Sequence, residues 1–193
     1  MRWRNSTAGF GIVSITLHWL AVVLIAAAYC TMEFKSIYPK GSPGREAMAQ
    51  WHYMLGLSVF ALVWLRLLFR WAGGTPVIEP APPKWQASLA TAAHWALYVL
   101  MVALPLFGWA AASTKGADIS LLGLQIPPLL GPDKALSKTL KEIHEAGATA
   151  GYFLIGLHAA AGLFHHYFLR DNTLRLMRPE WRRDRSAGAP SSQ

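Results

Sequence analysis

Three of the four histidines between His144 and Phe168 have a spacing suited to binding a metal-containing group. His144 and His158 are 14 residues apart, which is nearly four helical turns, so their imidazoles share one face about 21 Å apart along the axis. His165 follows seven residues later on the same face. The face between them is lined by small residues: Gly147, Ala148, Gly151, Ala161 and Gly162. The imidazoles at different depths, beside a helix face lined by small residues, predict room for a flat ligand.

Histidines on other apolar segments match these two depths. The chain contains seven histidines: His18, His52, His94, His144, His158, His165 and His166. If neighbouring segments run antiparallel, His18 and His158 fall in the half of the membrane nearer the chain termini, called here the inner half. His52 and His144 fall in the outer half. Two pairs of neutral imidazoles predict the iron ligands of two six-coordinate b-type haems, which need no covalent CxxCH motif.

Other roles remain open for some of these histidines. An interhelical hydrogen bond, or a ring among the headgroups, suits His166 and is an equal alternative for His94 and His165. A structural zinc ion needs four ligands at one point, whereas the two histidine pairs are separate. The one cysteine, Cys30, excludes a disulfide within the chain and an iron–sulfur cluster held by several cysteines.

Four segments without charged side chains are available to position the histidines. They cover residues 5–32, 47–65, 85–114 and 146–169, and each is long enough to cross a bilayer. The sequence therefore predicts an all-α integral membrane four-helix bundle over residues 1–178, with helices at about 10–32, 48–69, 89–112 and 146–169. The run SKTLKEIHE is expected to start the fourth helix before its membrane span. Residues 179–193 are basic and then rich in Ser, Ala, Gly and Pro, which predicts a disordered tail.

The distribution of Lys and Arg predicts the orientation of the bundle. The side that holds both termini carries eleven of the 18 Lys and Arg residues, and the other side carries seven. The positive-inside rule therefore places both termini, and the tail, in the cytoplasm. The net charge of +8 indicates contact of arginines with anionic lipid headgroups and gives no reason to expect nucleic acid as a partner.

Several motifs together resemble the bacterial cytochrome b561 family. They are HW at 18–19, an early His52 in the second segment, HE at 144–145, GYFLIGLHAAAGLFHHYF at 151–168 and RDNTLRLM at 170–177. The resemblance runs from about His18 to Met177. It implies a multi-pass protein of the bacterial inner membrane with two b haems, whose axial ligands are His18 with His158 and His52 with His144.

The resemblance also implies a reaction, in which superoxide gives its electron at the periplasmic face and ubiquinone is reduced to ubiquinol. Superoxide is an anion, so local positive charge should guide it. Lys141 precedes His144 by three residues and is the first choice for the entry. His165, His94 and Arg66 are the candidates to bind the quinone or relay its protons at the inner side. A quinone site beside the outer haem is the alternative.

A different role fits the same architecture. Similar di-haem four-helix proteins anchor periplasmic hydrogenases or dehydrogenases and carry their electrons to quinone. The short outer loops and the length of 193 residues favour an enzyme that acts without an obligate protein partner.

Overall fold

The computed structural model describes residues 3–121 and 123–178. Its four long helices are α1 (Ile12–Lys35), α2 (Pro43–Trp71), α3 (Lys84–Lys115) and α4 (Lys134–Phe164). A π-helix (His165–Leu169) continues α4, and a short helix α5 (Thr173–Leu176) follows. Two short strands, β1 (Ser120–Leu121) and β2 (Leu124–Gln125), pair as a hairpin between α3 and α4. All four long helices are sufficiently long and apolar to cross a membrane, so the predicted four-helix membrane architecture is confirmed.

The helix bounds differ from the predicted membrane spans: α2 and α3 extend past both ends, whereas α1 begins two residues later than predicted and ends three residues later. The largest difference is in α4, which begins at Lys134, 12 residues before the predicted span at 146. The expected early start of the fourth helix in SKTLKEIHE is thus confirmed. The physical reason is that charged residues can continue a helix where it leaves the bilayer. The hairpin of β1 and β2 was not predicted. The predicted disordered tail at 179–193 lies outside the described residues.

Local signals fix where the helices begin and end. The Ser42 hydroxyl accepts a hydrogen bond from the Arg45 amide, and Pro43 takes the first helical position of α2, where it loses no helical hydrogen bond. The Asp133 carboxylate accepts from the second and third amides of α4 at 2.9 and 3.0 Å. Gly116, with φ of 76°, ends α3 in the left-handed conformation that glycine adopts without strain.

Successive helices pack closely, whereas the first and last meet only through side chains. A buried cluster joins α1, α2 and α3: Ala21, Val59, Leu62, Val63, Leu67, Tyr98 and Met101. In the described part of the chain α4 packs against α3, and no Cα atom of α1 comes within 8 Å of one in α4. The backbones of α1 and α4 are therefore kept apart, and the His18 ring of α1 meets the His158 ring of α4 across this gap, with 6.4 Å between the ring centroids.

Tyrosine side chains connect α1 and α4 in the outer half of the bundle. The Tyr29 hydroxyl of α1 donates a 2.8 Å hydrogen bond to the Ala148 carbonyl of α4, and the Tyr29 ring lies 4.0 Å from that of Tyr152. A Cβ atom at Gly151 would lie 2.7 Å from the Tyr29 hydroxyl oxygen, and one at Gly147 would lie 2.6 Å from the side chain of Leu104. The prediction that these two glycines leave an open lane is therefore wrong, because protein side chains occupy the space beside them.

Candidate functional site

The outer histidines face each other across a pocket. The ring centroids of His52 on α2 and His144 on α4 are 5.9 Å apart, and their planes are nearly perpendicular at 86°. The pocket around them is also lined by Tyr53, Gly56, Leu57, Pro105, Gly108, Trp109 and Ile119. A Cβ atom at Gly56 would meet nothing within 4 Å. One helical turn below His52 there is thus open space that a larger side chain would fill.

Backbone carbonyl groups orient both outer imidazoles. His52 Nδ1 lies 3.0 Å from the carbonyl oxygen of Ala28, and His144 Nδ1 lies 2.8 Å from that of Leu104. Because a carbonyl oxygen only accepts, each Nδ1 carries the proton and donates it. The two Nε2 atoms are then left with free lone pairs, which is the usual arrangement of histidines that bind a metal ion.

The inner level contains three imidazoles instead of two. His18 on α1 lies 6.4 Å from His158 on α4 between ring centroids, while His94 on α3 lies 5.2 Å from His158. Two imidazoles on opposite sides of one metal ion need centroids roughly 6 Å apart, since each bond is about 2 Å long and each ring adds about 1 Å. The distance therefore favours His18 with His158 over His94 with His158, and it also fits the outer pair.

Arg66 holds His18 in a state that does not yet suit iron. Arg66 Nη2 donates a 3.1 Å hydrogen bond to His18 Nδ1, so the neutral His18 ring carries its proton on Nε2. Ligation through Nε2 requires this contact to be released. The same guanidinium lies 5.7 Å from the centre of the Tyr98 ring. Arg66, predicted as a quinone or proton-relay residue, is thus placed beside His18, a predicted iron ligand.

His165 belongs to a separate cluster at the inner end of the bundle. Its Nδ1 contacts the Asp171 carboxylate, and its Nε2 lies 3.1 Å from the amide nitrogen of Gln86, in the first turn of α3. Asp171 is only 3% exposed. Burial alone would raise the pKa of Asp171, but hydrogen bonds from His165 and Thr173 outweigh it and lower that pKa below its usual value. Asp171 is therefore a carboxylate at neutral pH.

Cations from all four long helices gather at the outer end. Lys35, at the end of α1, is half-buried, and its electrostatic neighbours are Lys115, Arg45 and Lys141. We call these four residues the outer cation cluster. Lys141 forms an exposed 2.7 Å ion pair with Glu145, which offsets part of its charge. Lys35 is also an electrostatic neighbour of His52, so it is the cluster member linked most directly to an outer histidine.

The sequence reasoning missed three of the residues described above. Gly56 could have been found, because it lies one turn from His52 on the same face. Asp171 is an acidic residue next to a membrane span, which is also a usable signal. The sequence contains no signal for Gln86, because its contact with His165 depends on the packing of α3 beside the end of α4.

Comparisons with known proteins cover almost the whole chain. Residues 9–180 match the profile of a family described as prokaryotic cytochrome b561. The chain is 40% identical over 170 residues to Cytochrome b561 homolog 1 of Escherichia coli (strain K12), covering 88% of this chain and 97% of that protein. It is 35% identical over 173 residues to Probable superoxide oxidase CybB of Yersinia pestis, covering 90% and 97%. It is 27% identical over 176 residues to Cytochrome b562 of Cereibacter sphaeroides, covering 89% and 96%.

Proposed function

Because the chain belongs to the prokaryotic cytochrome b561 family of haem b proteins, multi-pass proteins of the bacterial inner membrane, we propose that it oxidises superoxide at the periplasmic face and reduces ubiquinone. The observation that carries the proposal is the presence of two imidazole pairs at different depths, each spaced to hold one iron. The relative from Yersinia pestis with a superoxide oxidase name supports the choice of substrate. The basic side of the bundle, with both termini, faces the cytoplasm.

The residues present fit two haems. His52 and His144 would hold the outer haem through Nε2, with Gly56 leaving space beside them. His18 and His158 would hold the inner haem once Arg66 has left His18 Nδ1. When bound, the two haems supply one-electron transfer across the bilayer. The protein's own contribution is to fix the imidazoles, to attract superoxide and to deliver protons to the quinone.

The overall reaction requires two superoxide ions for each quinone. Each superoxide loses one electron and leaves as dioxygen, while the quinone gains two electrons and two protons to become ubiquinol. The negative substrate enters at the outer end, where the outer cation cluster supplies positive potential. The quinone is an apolar molecule that reaches the protein through the bilayer. We place its site at the inner end, where His165 and Gln86 offer polar atoms.

The first prediction concerns the outer cation cluster. Lys35→Glu and Lys141→Glu should each slow the reduction of the haems by superoxide severalfold at low salt, because steering by local charge raises association rates about 10- to 1000-fold. Lys35 should matter more, since Glu145 already offsets Lys141. The deficit should shrink at physiological salt, where the screening length is about 8 Å. Pulse radiolysis across a salt series measures these rates.

Reduction of the haems by ubiquinol is the control for both lysine variants. It should be unchanged, because ubiquinol does not use the outer entry. If superoxide reduced the haems of both variants and of wild type at equal rates at every salt concentration, the proposal that these lysines guide superoxide would be wrong. A parallel loss of the ubiquinol rate would place the quinone beside the outer haem instead.

A second experiment tests the function as a whole. The purified chain, loaded with haem and free of other proteins, should be reduced by superoxide and should then pass the electrons to ubiquinone. Its haem content should be two per chain by the pyridine haemochrome assay. A strict need for a co-purified periplasmic subunit in any haem reduction would favour the electron-carrying anchor over the enzyme.

A further inference from the structure

The cluster of Asp171, His165 and Gln86 has the geometry of a proton-donating site. We propose that Asp171 is a positioning residue that holds His165 ready to protonate ubiquinone at the inner end of the bundle. The inference rests on the proposed function, since it needs quinone as the electron acceptor. It deepens that function by identifying the quinone-facing atom as His165 Nε2 and its supporting group as the Asp171 carboxylate.

The hydrogen bonds of the cluster define which nitrogen faces the quinone. The ionised Asp171 carboxylate only accepts, so His165 Nδ1 carries a proton and donates it. The opposite nitrogen, Nε2, then accepts the 3.1 Å hydrogen bond from the Gln86 amide. The amide of Gln86 occupies the place that a quinone carbonyl would take when Nε2 is protonated. If quinone displaces Gln86, the His165 ring therefore keeps a hydrogen bond at both nitrogens, from Nδ1 to Asp171 and from Nε2 to the quinone.

The backbone at the end of α4 brings Asp171 next to His165. The π-helix begins at His165, and Arg170 follows it with a left-handed φ of 55°. This turn brings Asp171 back beneath His165, and the Asp171 amide donates a hydrogen bond to the His165 carbonyl oxygen. The Asp171 carboxylate also accepts from the Thr173 amide at 2.9 Å. The turn that ends α4 therefore also places the Asp171 carboxylate against the His165 ring.

The position of His165 suits proton delivery beside the inner haem. His165 lies seven residues after His158, which is about 10 Å further along the same helix face toward the inner end. Its side chain is 15% exposed, whereas that of Asp171 is 3% exposed. Water on the inner side can therefore reach the imidazole but hardly reaches the carboxylate that supports it. Among the ionisable groups described, the buried carboxylate contacts His165, and its other bond is to the neutral Thr173 amide.

The proposed step is balanced in protons and electrons. Two electrons come from two superoxide ions, which leave as dioxygen. Doubly protonated His165 transfers its Nε2 proton to one quinone oxygen as that oxygen gains electron density, and the ring then regains a proton from water. The other quinone oxygen takes its proton from water. Asp171 keeps its charge throughout and stabilises the doubly protonated ring, as a carboxylate does for a catalytic histidine.

The decisive variant is Asp171→Asn. An asparagine keeps a carbonyl oxygen for the Thr173 amide, but its NH₂ group donates to His165 Nδ1 and moves the proton of the neutral ring to Nε2. Nitrogen-15 NMR of histidine-labelled, fully reduced protein should show this change of tautomer. Reoxidation of the reduced haems by ubiquinone should slow at least tenfold, since general acid–base groups contribute about 10²- to 10⁴-fold. Reduction by superoxide should stay at the wild-type rate.

Asp133→Asn is the matched control. Asp133 also accepts hydrogen bonds from helix amides, but it lies at the outer end and should affect neither quinone rate nor tautomer. His165→Gln is a second test, because glutamine can bond Asp171 but cannot deliver a proton, and it should slow the same step. Wild-type rates of haem reoxidation by ubiquinone in Asp171→Asn would overturn this inference alone. Wild-type protein that fails to reduce ubiquinone would overturn the proposed function, and the inference with it.

Discussion

Replacing His158 by alanine should remove the inner haem and leave the outer haem in place. The ring centroids of His158 and His18 lie 6.4 Å apart, so these two residues would hold the inner haem together. Loss of His158 leaves that iron with one protein ligand. Changes to residues that only support a metal ligand already cost about 10- to 100-fold in affinity, and removal of the ligand itself should cost more. The haem content should fall from two to one per chain.

His94→Ala is the matched control for this prediction. His94 also lies close to His158, at 5.2 Å, so a variant there tests whether proximity alone identifies a ligand. The His94 variant should keep two haems. The pyridine haemochrome assay gives the number of haems, and low-temperature optical spectra show which of the two remains. Equal haem loss in the two variants would contradict the pairing of His18 with His158.

Filling the space at Gly56 should remove the outer haem without removing either of its ligands. Nothing lies within 4 Å of a Cβ atom at Gly56, and this residue lines the pocket between His52 and His144. Gly56→Leu should therefore fold normally but occupy the volume that the haem needs. We expect a haem content of one per chain, with the loss confined to the outer site.

Gly156→Leu provides the control for Gly56→Leu. A Cβ atom at Gly156 also meets nothing within 4 Å, but Gly156 is on an exposed part of α4. Leucine there should keep both haems, since it adds the same volume away from the pocket. Heat denaturation followed by near-ultraviolet circular dichroism should show that both variants are folded. Two haems in folded Gly56→Leu would show that the open space is not the haem site.

The helices and the early start of α4 could be predicted from the sequence, but the exact residues at which the helices begin and end could not. Charge-free segments mark the thickness of the bilayer, which hydropathy measures directly. Helix length is a different quantity, because α4 runs from Lys134 through a charged stretch outside the span. Its start depends on the Asp133 cap, and the end of α3 depends on Gly116. The hairpin between α3 and α4 has strands of two residues, too short to leave a periodic pattern.

The depths of the histidines and the pairing of His18 with His158 were predicted from the sequence, but the distances between their rings were not. The spacing of His144 and His158 along one helix follows from 3.6 residues per turn, so their depths could be read directly. The distances from the His158 ring distinguish His18 from His94 as its partner, and these distances depend on how three helices pack. The contact between Arg66 and His18 is a matter of side-chain orientation. Neither leaves a signal in the order of the residues.

The separation of the α1 and α4 backbones would make a bound haem part of the assembly of this protein. Among the described residues α4 packs on α3 and reaches α1 only through long side chains such as Tyr29, so a haem bound by His18 and His158 would join the first helix to the last. A ligand that binds only the assembled form stabilises it by about 2.7 kcal/mol at a hundredfold excess over its dissociation constant. Hydrogen exchange in α4 should therefore be faster in membranes from haem-starved cells, and equal exchange would contradict this. We expect the amount of mature protein to follow the cell's haem supply, since chains that remain open are the ones exposed to membrane proteases.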